Sequence, residues 1–382
     1  MKRRVLLFNQ YYLPGYKSGG PQQSIANLVE HLGDEFAFQI VTSNHEFGEN
    51  TPYQDIIPGE WYNVEKARVC YLAPHQQNLG GIARIMRETP HDTFYLNSFF
   101  DYKFSILPLL ARRLGLAPRR PAILAPRGEF SPGALALKST KKKLFIAASK
   151  VIGLHNDLIW QASTEREADD IRNAVGQTAK SIHIACDLPK STNSELKITS
   201  RELDHPLRVV FLSRISPKKN LLGALKMLSH VQSPVNFTIY GPKEDEAYWA
   251  RCKSVISALP SHIQVEYKGQ IHPDTVIDHL SQHDLFFLPT LGENYGHVII
   301  EALLAGLPVL ISDQTPWMDM EENGVGWSLP LKDGQAFAQT IEKVAQWDDK
   351  VLEKIKHKAH QYGIQHSEDG AKIEQNQALF NA

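Results

Sequence analysis

Residues 285–312 read LFFLPTLGENYGHVIIEALLAGLPVLIS. A short apolar run, Leu285–Leu288, meets a proline and then a loop carrying Gly292 and Gly296. An apolar helical stretch, His297–Ala305, follows; after Gly306 comes a second apolar run, Pro308–Ile311. Four-residue apolar runs bounded by Gly and Pro read as strands buried on both faces. Strand, loop, helix and strand in that order form a βαβ unit, which belongs to a parallel sheet. Such sheets bind ligands beyond the carboxyl ends of their strands, so 289–296 is the first candidate loop.

The same alternation runs outward in both directions. Val5–Phe8, Phe38–Val41, Phe94–Leu96, Ala122–Leu124 and Leu158–Trp160 read as strands, with amphipathic helices such as Ile25–Leu32 and Ile106–Leu114 between them. Residues 187–206 are polar and aperiodic, and the alternation then restarts. Strands are expected at Leu207–Leu212, Phe237–Tyr240 and Val265–Lys268, and helices at Leu221–Ser229, Glu246–Ala258 and Thr275–Leu280. The expectation is an α/β chain of two doubly wound, Rossmann-like domains, 1–188 and 207–382, joined by a linker at 189–206 and facing a cleft. The last helix is expected to pack back on the first domain.

Composition bounds the class. The 382 residues are 42% hydrophobic and 22% charged, ordinary for globular domains. The net charge of −1 excludes a uniformly basic nucleic-acid coat, and no nucleic-acid partner is expected. Cys70, Cys186 and Cys252 are widely spaced singles, which fits a reducing compartment. The start, MKRRVLLFNQ, has too short an apolar core for a secretory signal, so a cytoplasmic protein is expected. No apolar stretch reaches the roughly 18 residues of a membrane span.

Four loops after strands carry chemistry. In the first, Gly19-Gly20 precedes Pro21 and a helix; it offers backbone N–H groups to an anion, or is a flexible turn. It is no Walker A loop, because Pro21-Gln22 stands where Lys-Ser/Thr is needed. In the second, SRISPKKN, Arg214 and Lys219 form a clamp for a diphosphate, or are solvated surface cations. The third places Glu293 in a loop and Glu301 in the following apolar helix. Carboxylates accept from paired sugar hydroxyls, and a Glu amid VIIEALLAG needs a partner, protein or ligand. In the fourth, Asp313, Thr315 and Pro316 read as an N-cap before a short helix, or as a substrate contact.

Together these stretches resemble retaining glycosyltransferases of the GT-B fold, family 4, of the bacterial polysaccharide and lipopolysaccharide type. The specific part is Glu293-x7-Glu301 within GENYGHVIIEALLAGLPVL, followed by SDQTPW and GVGW. SRISPKKN, PGYKSGGPQQSIANL and PRGEFSPGALALKSTKKKLF support it. The resemblance implies a nucleotide-sugar donor, UDP- or GDP-linked, bound mainly by the C-terminal domain. It implies a glycan or lipid-linked glycan acceptor on the N-terminal one.

Carried over by position, Glu293 binds donor-sugar hydroxyls and Glu301 the ribose. Arg214 and Lys219 neutralise the diphosphate, Gly20 closes over it beside Gly19, and Asn294, Tyr295, Gly296 and His297 line the donor. Arg214, Lys219 and Glu293 are the expected catalytic groups. The sequence departs from the family at Asn220 and Asn294, where Gly is common, at Ala185-Cys186-Asp187 in place of Asn-Gly, and at Arg127-Gly128 in place of His-Gly. Arg127 and Glu129 are therefore the acceptor-side candidates; a surface ion pair is the alternative for Glu129. His91 is a further candidate, with a structural or incidental role as its alternative.

No metal or other cofactor is expected, since two cations face the leaving diphosphate and no Asp-x-Asp occurs. Residues 103–150 hold eleven Lys and Arg against one acid, interleaved with Leu, Ile and Phe. They are expected to meet an anionic membrane surface and hold the chain peripherally at the inner face of the cytoplasmic membrane, or to form a solvated basic face. A sugar-nucleotide epimerase, a phosphorylase of the same fold, or a non-catalytic nucleotide-sugar-binding subunit are the competing readings.

Overall fold

The computed structural model describes residues 2–136, 139–190, 195–201 and 205–382. The chain divides into two compact units, residues 1–191 with 369–382, and residues 192–368.

The first unit is built on eight strands: β1 (Arg3–Phe8), β2 (Phe36–Ser43), β3 (Trp61–Val64), β4 (Ala67–Leu72), β5 (Thr93–Leu96), β6 (Ala122–Leu124), β7 (Ile159–Ala162) and β8 (Ser181–Ile184). Their order is β3-β4-β2-β1-β5-β6-β7-β8, parallel throughout except for the β3–β4 hairpin. Side chains alternate across a strand, and β1 shows both faces covered: Val5 and Leu7 enter one core, Leu6 and Phe8 the other. Helix 20–32 buries Ile25, Leu28, Val29 and Leu32 on the first face; helix 79–88 buries Ile82 and Met86 on the second.

The strands absent from the sequence reading sit at or next to the sheet edges. β8 (SIHI) is only half-buried and mixes polar with apolar residues, so it lacks the continuous apolar run of a central strand. The C-terminal helix, 370–381, belongs to this unit. Its Phe380 ring packs against Phe36, Phe38 and Tyr95 at 5.5–5.7 Å between centroids.

The second unit has six parallel strands: β9 (Leu207–Leu212), β10 (Val235–Tyr240), β11 (Ile263–Gly269), β12 (Leu285–Leu288), β13 (Val309–Ser312) and β14 (Gly326–Leu329). The order is β11-β10-β9-β12-β13-β14. Helices at 221–228, 246–256, 276–280, 297–304, 334–345 and 349–367 connect or follow them. β14, read in sequence only as the GVGW stretch, lies close to its neighbour. A Cβ on Gly326 would stand 2.1 Å from the Val309 carbonyl oxygen.

Part of the polar segment taken as a linker is held against this unit. Arg201 is buried and donates to the carbonyls of His205, Ala345 and Trp347, while its own N–H donates to Asp349. Fully buried Asp284 gathers Arg208, Arg201 and Lys356 at 2.6, 3.5 and 3.5 Å. Burial pulls Lys356 below its ordinary range despite that carboxylate. Among the described residues no helix is long and apolar enough to cross a membrane.

Candidate functional site

In the second unit the strand order reverses at β9, which has β10 on one side and β12 on the other. Two loops leave the carboxyl ends of β9 and β12 side by side, the place where open α/β sheets form a ligand crevice. They are the SRISPKKN and GENYG stretches. Leu291 N donates to the Lys218 carbonyl at 2.8 Å, and the Asn220 amide to the Pro289 carbonyl at 2.8 Å. Across this junction Lys219 Nζ donates to Glu293 Oε1 at 2.5 Å, with the two side chains only 13% and 10% exposed. Glu293 is fixed from its other side, where its N–H donates to the Gln314 carbonyl at 3.0 Å.

Asn220 adopts a left-handed backbone conformation, φ 59°. That conformation favours Gly and tolerates Asn, the residue found here. The Asn294 side-chain nitrogen is buried and finds no hydrogen-bond partner among the described residues. An unsatisfied donor beside Glu293 suits a ligand oxygen.

Helix 297–304 starts from left-handed Gly296 without a side-chain cap, which leaves its first-turn N–H groups without a capping side chain. Tyr295 is held by Trp317, whose indole nitrogen donates to the Tyr295 carbonyl at 2.6 Å. His297 packs its ring against Tyr295 at 4.9 Å, and Glu301 lies half-buried in the second helical turn.

One expectation is corrected. Residues 313–319 form no helix, so Asp313 and Thr315 are not N-caps. Thr315 Oγ1 accepts from Trp317 N at 3.2 Å in a local turn, because Trp317 is drawn into the core against Tyr295. Arg214, in the loop after β9, has an ion pair of its own. Its guanidinium reaches Glu244, in the loop after β10, at 3.1 Å. Close approach of those loops depends on Gly241, whose Cβ would stand 1.9 Å from the Ser213 carbonyl oxygen.

In the first unit, Gly19 (φ 78°) starts helix 20–32 with no side-chain cap, and a Cβ on Gly20 would meet nothing within 4 Å. The loop before it is tied down by Glu46, which accepts from the N–H groups of Tyr16 and Phe47 at 2.7 and 2.6 Å. Arg127 is not a free surface cation. Its guanidinium donates to Asn97 at 2.7 Å, to the Tyr95 hydroxyl at 2.6 Å and to Asp187. Asn97 in turn donates to the Pro21 carbonyl at 2.9 Å, and Ser24 to Asp187 at 3.0 Å. Arg127 thus braces the start of the helix that Gly19-Gly20 opens.

Glu129 clasps the loop after β5, accepting from Ser98 Oγ at 2.7 Å and from Phe99 N at 2.6 Å. Burial pushes its carboxyl up to about 7, against these hydrogen bonds. His91 is buried with Nδ1 against the Thr89 carbonyl at 2.7 Å, a structural role. Glu46 and Asn97 were not singled out by sequence, and Asp187 stood out there only as a departure from Asn-Gly. Their common signal, a polar residue just past a strand, is too frequent to stand out.

Residues 194–365 match the family of glycosyl transferases group 1. The second unit therefore carries a glycosyl transferases group 1 domain. A phosphatidyl-myo-inositol mannosyltransferase from Mycobacterium leprae is 30% identical over 139 residues, 35% of this chain. The aligned part spans 36% of that relative's length. Among solved structures, HepE of Anabaena in complex with UDP and glucose matches at 16% identity and TM-score 0.70, covering 99% of this chain and 98% of its own. A sucrose-phosphate synthase from Thermosynechococcus elongatus matches at 14% identity and TM-score 0.73, covering 100% and 98%. The fold is two Rossmann-like domains of the GT-B type, and the family that the second unit matches and the aligned relative are both transferases.

Proposed function

We propose that the chain is a retaining, metal-independent glycosyltransferase. It moves a sugar from a UDP- or GDP-sugar to a glycan or lipid-linked glycan acceptor in bacterial surface polysaccharide synthesis. The observation that carries this reading is the meeting of Lys219 and Glu293 at the switch point of the second unit, next to an uncapped helix start. In the transfer the anomeric C–O bond to the β-phosphate breaks and a bond to an acceptor hydroxyl forms, whose proton is released. Charge develops on the leaving diphosphate. Lys219, Arg214 and the backbone N–H groups at 295–297 stabilise it, as preorganised donors do where charge appears in a transition state.

Glu293 and Asn294 hold sugar hydroxyls, with Lys219 passing from its ion pair to shared contact with phosphate. Tyr295, Gly296 and His297 complete the donor loop, and Glu301 takes the ribose. Gly19 and Gly20 lend backbone N–H groups to phosphate. Arg127 and Glu129 serve the acceptor side by shaping the first unit's loops, and the 103–150 stretch holds the chain peripherally at the cytoplasmic membrane. UDP is the first base to try, because solved neighbours of the same fold bind UDP or UDP-glucose.

Thermal unfolding with UDP- and GDP-sugars, followed by transfer assays with and without EDTA, tests the reading. A ligand at a hundred times its Kd stabilises by about 2.7 kcal/mol. Stabilisation by one nucleotide sugar and acceptor-dependent transfer in EDTA are expected. Activity lost in EDTA and restored by magnesium overturns metal independence. Conversion of the donor without acceptor points to an epimerase, and a requirement for inorganic phosphate to a phosphorylase.

A further inference from the structure

Helix 139–151 of the first unit has two dissimilar faces. Its inner face is anchored: Phe145 packs on Phe99 and Phe100 at 5.6 and 5.8 Å, and Ile146 and Ser149 are buried. Lys142 also turns inward, lying 5.0 Å over the Phe100 ring and donating to the Ala134 carbonyl at 2.7 Å. The outer face carries Leu144, Ala148 and Val151, four and three residues apart and so on one stripe of the helix. Leu144 is 71% exposed and Val151 88%. At 100° per residue Lys141 flanks this stripe on one side, and Lys143 and Lys150 on the other.

Past the helix end Ile152 is exposed, and Arg113 donates to the Gly153 carbonyl at 3.0 Å, which ties the turn carrying exposed Leu114 and Leu116 to this end of the helix. Arg119 lies at the same edge, 3.1 Å from Asp157. Between Glu129 and Asp157 the sequence has no acidic residue, so the lysines flanking the stripe have no acidic neighbour on their own segment. Lys138 lies outside the described residues.

We propose that this face, Leu144 and Val151 with Leu114, Leu116 and Ile152, seats in the interface of an anionic phospholipid bilayer while Lys141, Lys143 and Lys150 bind the headgroups. An exposed apolar row flanked by lysines matches the two zones of a lipid surface. The apolar side chains reach the acyl boundary, and the long lysine stems let the ammonium groups stay at the headgroups. The inference deepens the reading of 103–150 as membrane-facing and does not depend on sugar transfer.

Flotation of the full-length chain with vesicles of 30% phosphatidylglycerol in phosphatidylcholine, and with phosphatidylcholine alone, tests it. Binding to the anionic vesicles at low salt, weakened in 0.5 M salt, is the expected result. Lys143→Gln with Lys150→Gln should weaken it by about fivefold per lysine. Leu144→Glu with Val151→Glu should weaken it by a further order of magnitude or more. These side chains are exposed, so unchanged melting and UDP-sugar binding show the variants folded and leave the proposed activity to stand or fall separately. No binding to anionic vesicles at low salt overturns the proposal, as does binding that Leu144→Glu with Val151→Glu leaves intact. Concentration-dependent dimerisation abolished by the same pair, without vesicle binding, assigns the face to a second copy instead.

Discussion

Replacing Lys219 by Ala separates the two jobs the structure gives it. Its ammonium pairs with Glu293 at 2.5 Å, and both side chains are nearly covered. Removing the cation leaves Glu293 with an unmatched charge where water has little access. Breaking a fully buried pair costs roughly 3–5 kcal/mol; residual exposure here reduces that to about 1–3 kcal/mol. The catalytic loss is separate. A preorganised donor withdrawn from developing charge costs on the order of 10²–10³ in kcat. Urea unfolding and initial-rate kinetics on Lys219→Ala, Glu293→Gln and the double variant resolve the two. The double variant carries no stranded charge, so its stability should return to within about 1 kcal/mol of the parent while kcat stays low. Recovery of turnover along with stability would refute the reasoning, since Lys219 would then serve only to neutralise Glu293. Full turnover in folded Lys219→Ala would refute it more directly.

Three further outcomes are expected. Gly20→Ala introduces a Cβ with no neighbour within 4 Å, so melting should be unchanged and the donor KM should rise several-fold; Gly241→Ala, facing a carbonyl at 1.9 Å, should lose several kcal/mol of stability. Unchanged KM in Gly20→Ala would remove that glycine from phosphate binding. Glu129 binds its proton more tightly folded (about 7) than unfolded (ordinarily 4.5), so it costs stability as pH rises between those values. Denaturation of Glu129→Gln and the parent at pH 5 and pH 8 should show the variant gaining about 1–3 kcal/mol relative to the parent at the higher pH; a constant gap would contradict the assignment. Arg127→Lys keeps the charge but cannot bridge Asn97, Tyr95 and Asp187 at once, and should raise the acceptor KM more than it lowers kcat. Loss confined to kcat would place Arg127 at the reacting atoms instead.

The central strands and the loops that follow them were legible because a strand buried on both faces must be a continuous apolar run. Val5–Phe8, Val209–Leu212 and Leu285–Leu288 are such runs, and each ends in a polar or glycine-bearing loop. Edge strands such as β8 escaped notice, since one open side relaxes that demand. Residue types at the site were legible too: a lysine and a glutamate in loops after strands are apt for phosphate and hydroxyls wherever the sheet places them.

Their partnership was not. Lys219 and Glu293 are 74 residues apart, and they meet only because β12 pairs with β9 on the side away from β10. The same strand order sends Arg214 towards Glu244, and the core of the first unit takes Phe380 from the far end of the chain. By itself the sequence determined the α/β alternation, the two sheets and the chemistry of the loops, since these follow from local periodicity and side-chain type. Only tertiary structure decided which loops lie together, which charges are matched and that the buried Asn294 donor beside Glu293 has no partner among the described residues. Strand order is settled by packing over the whole sheet, and no local window of sequence contains it.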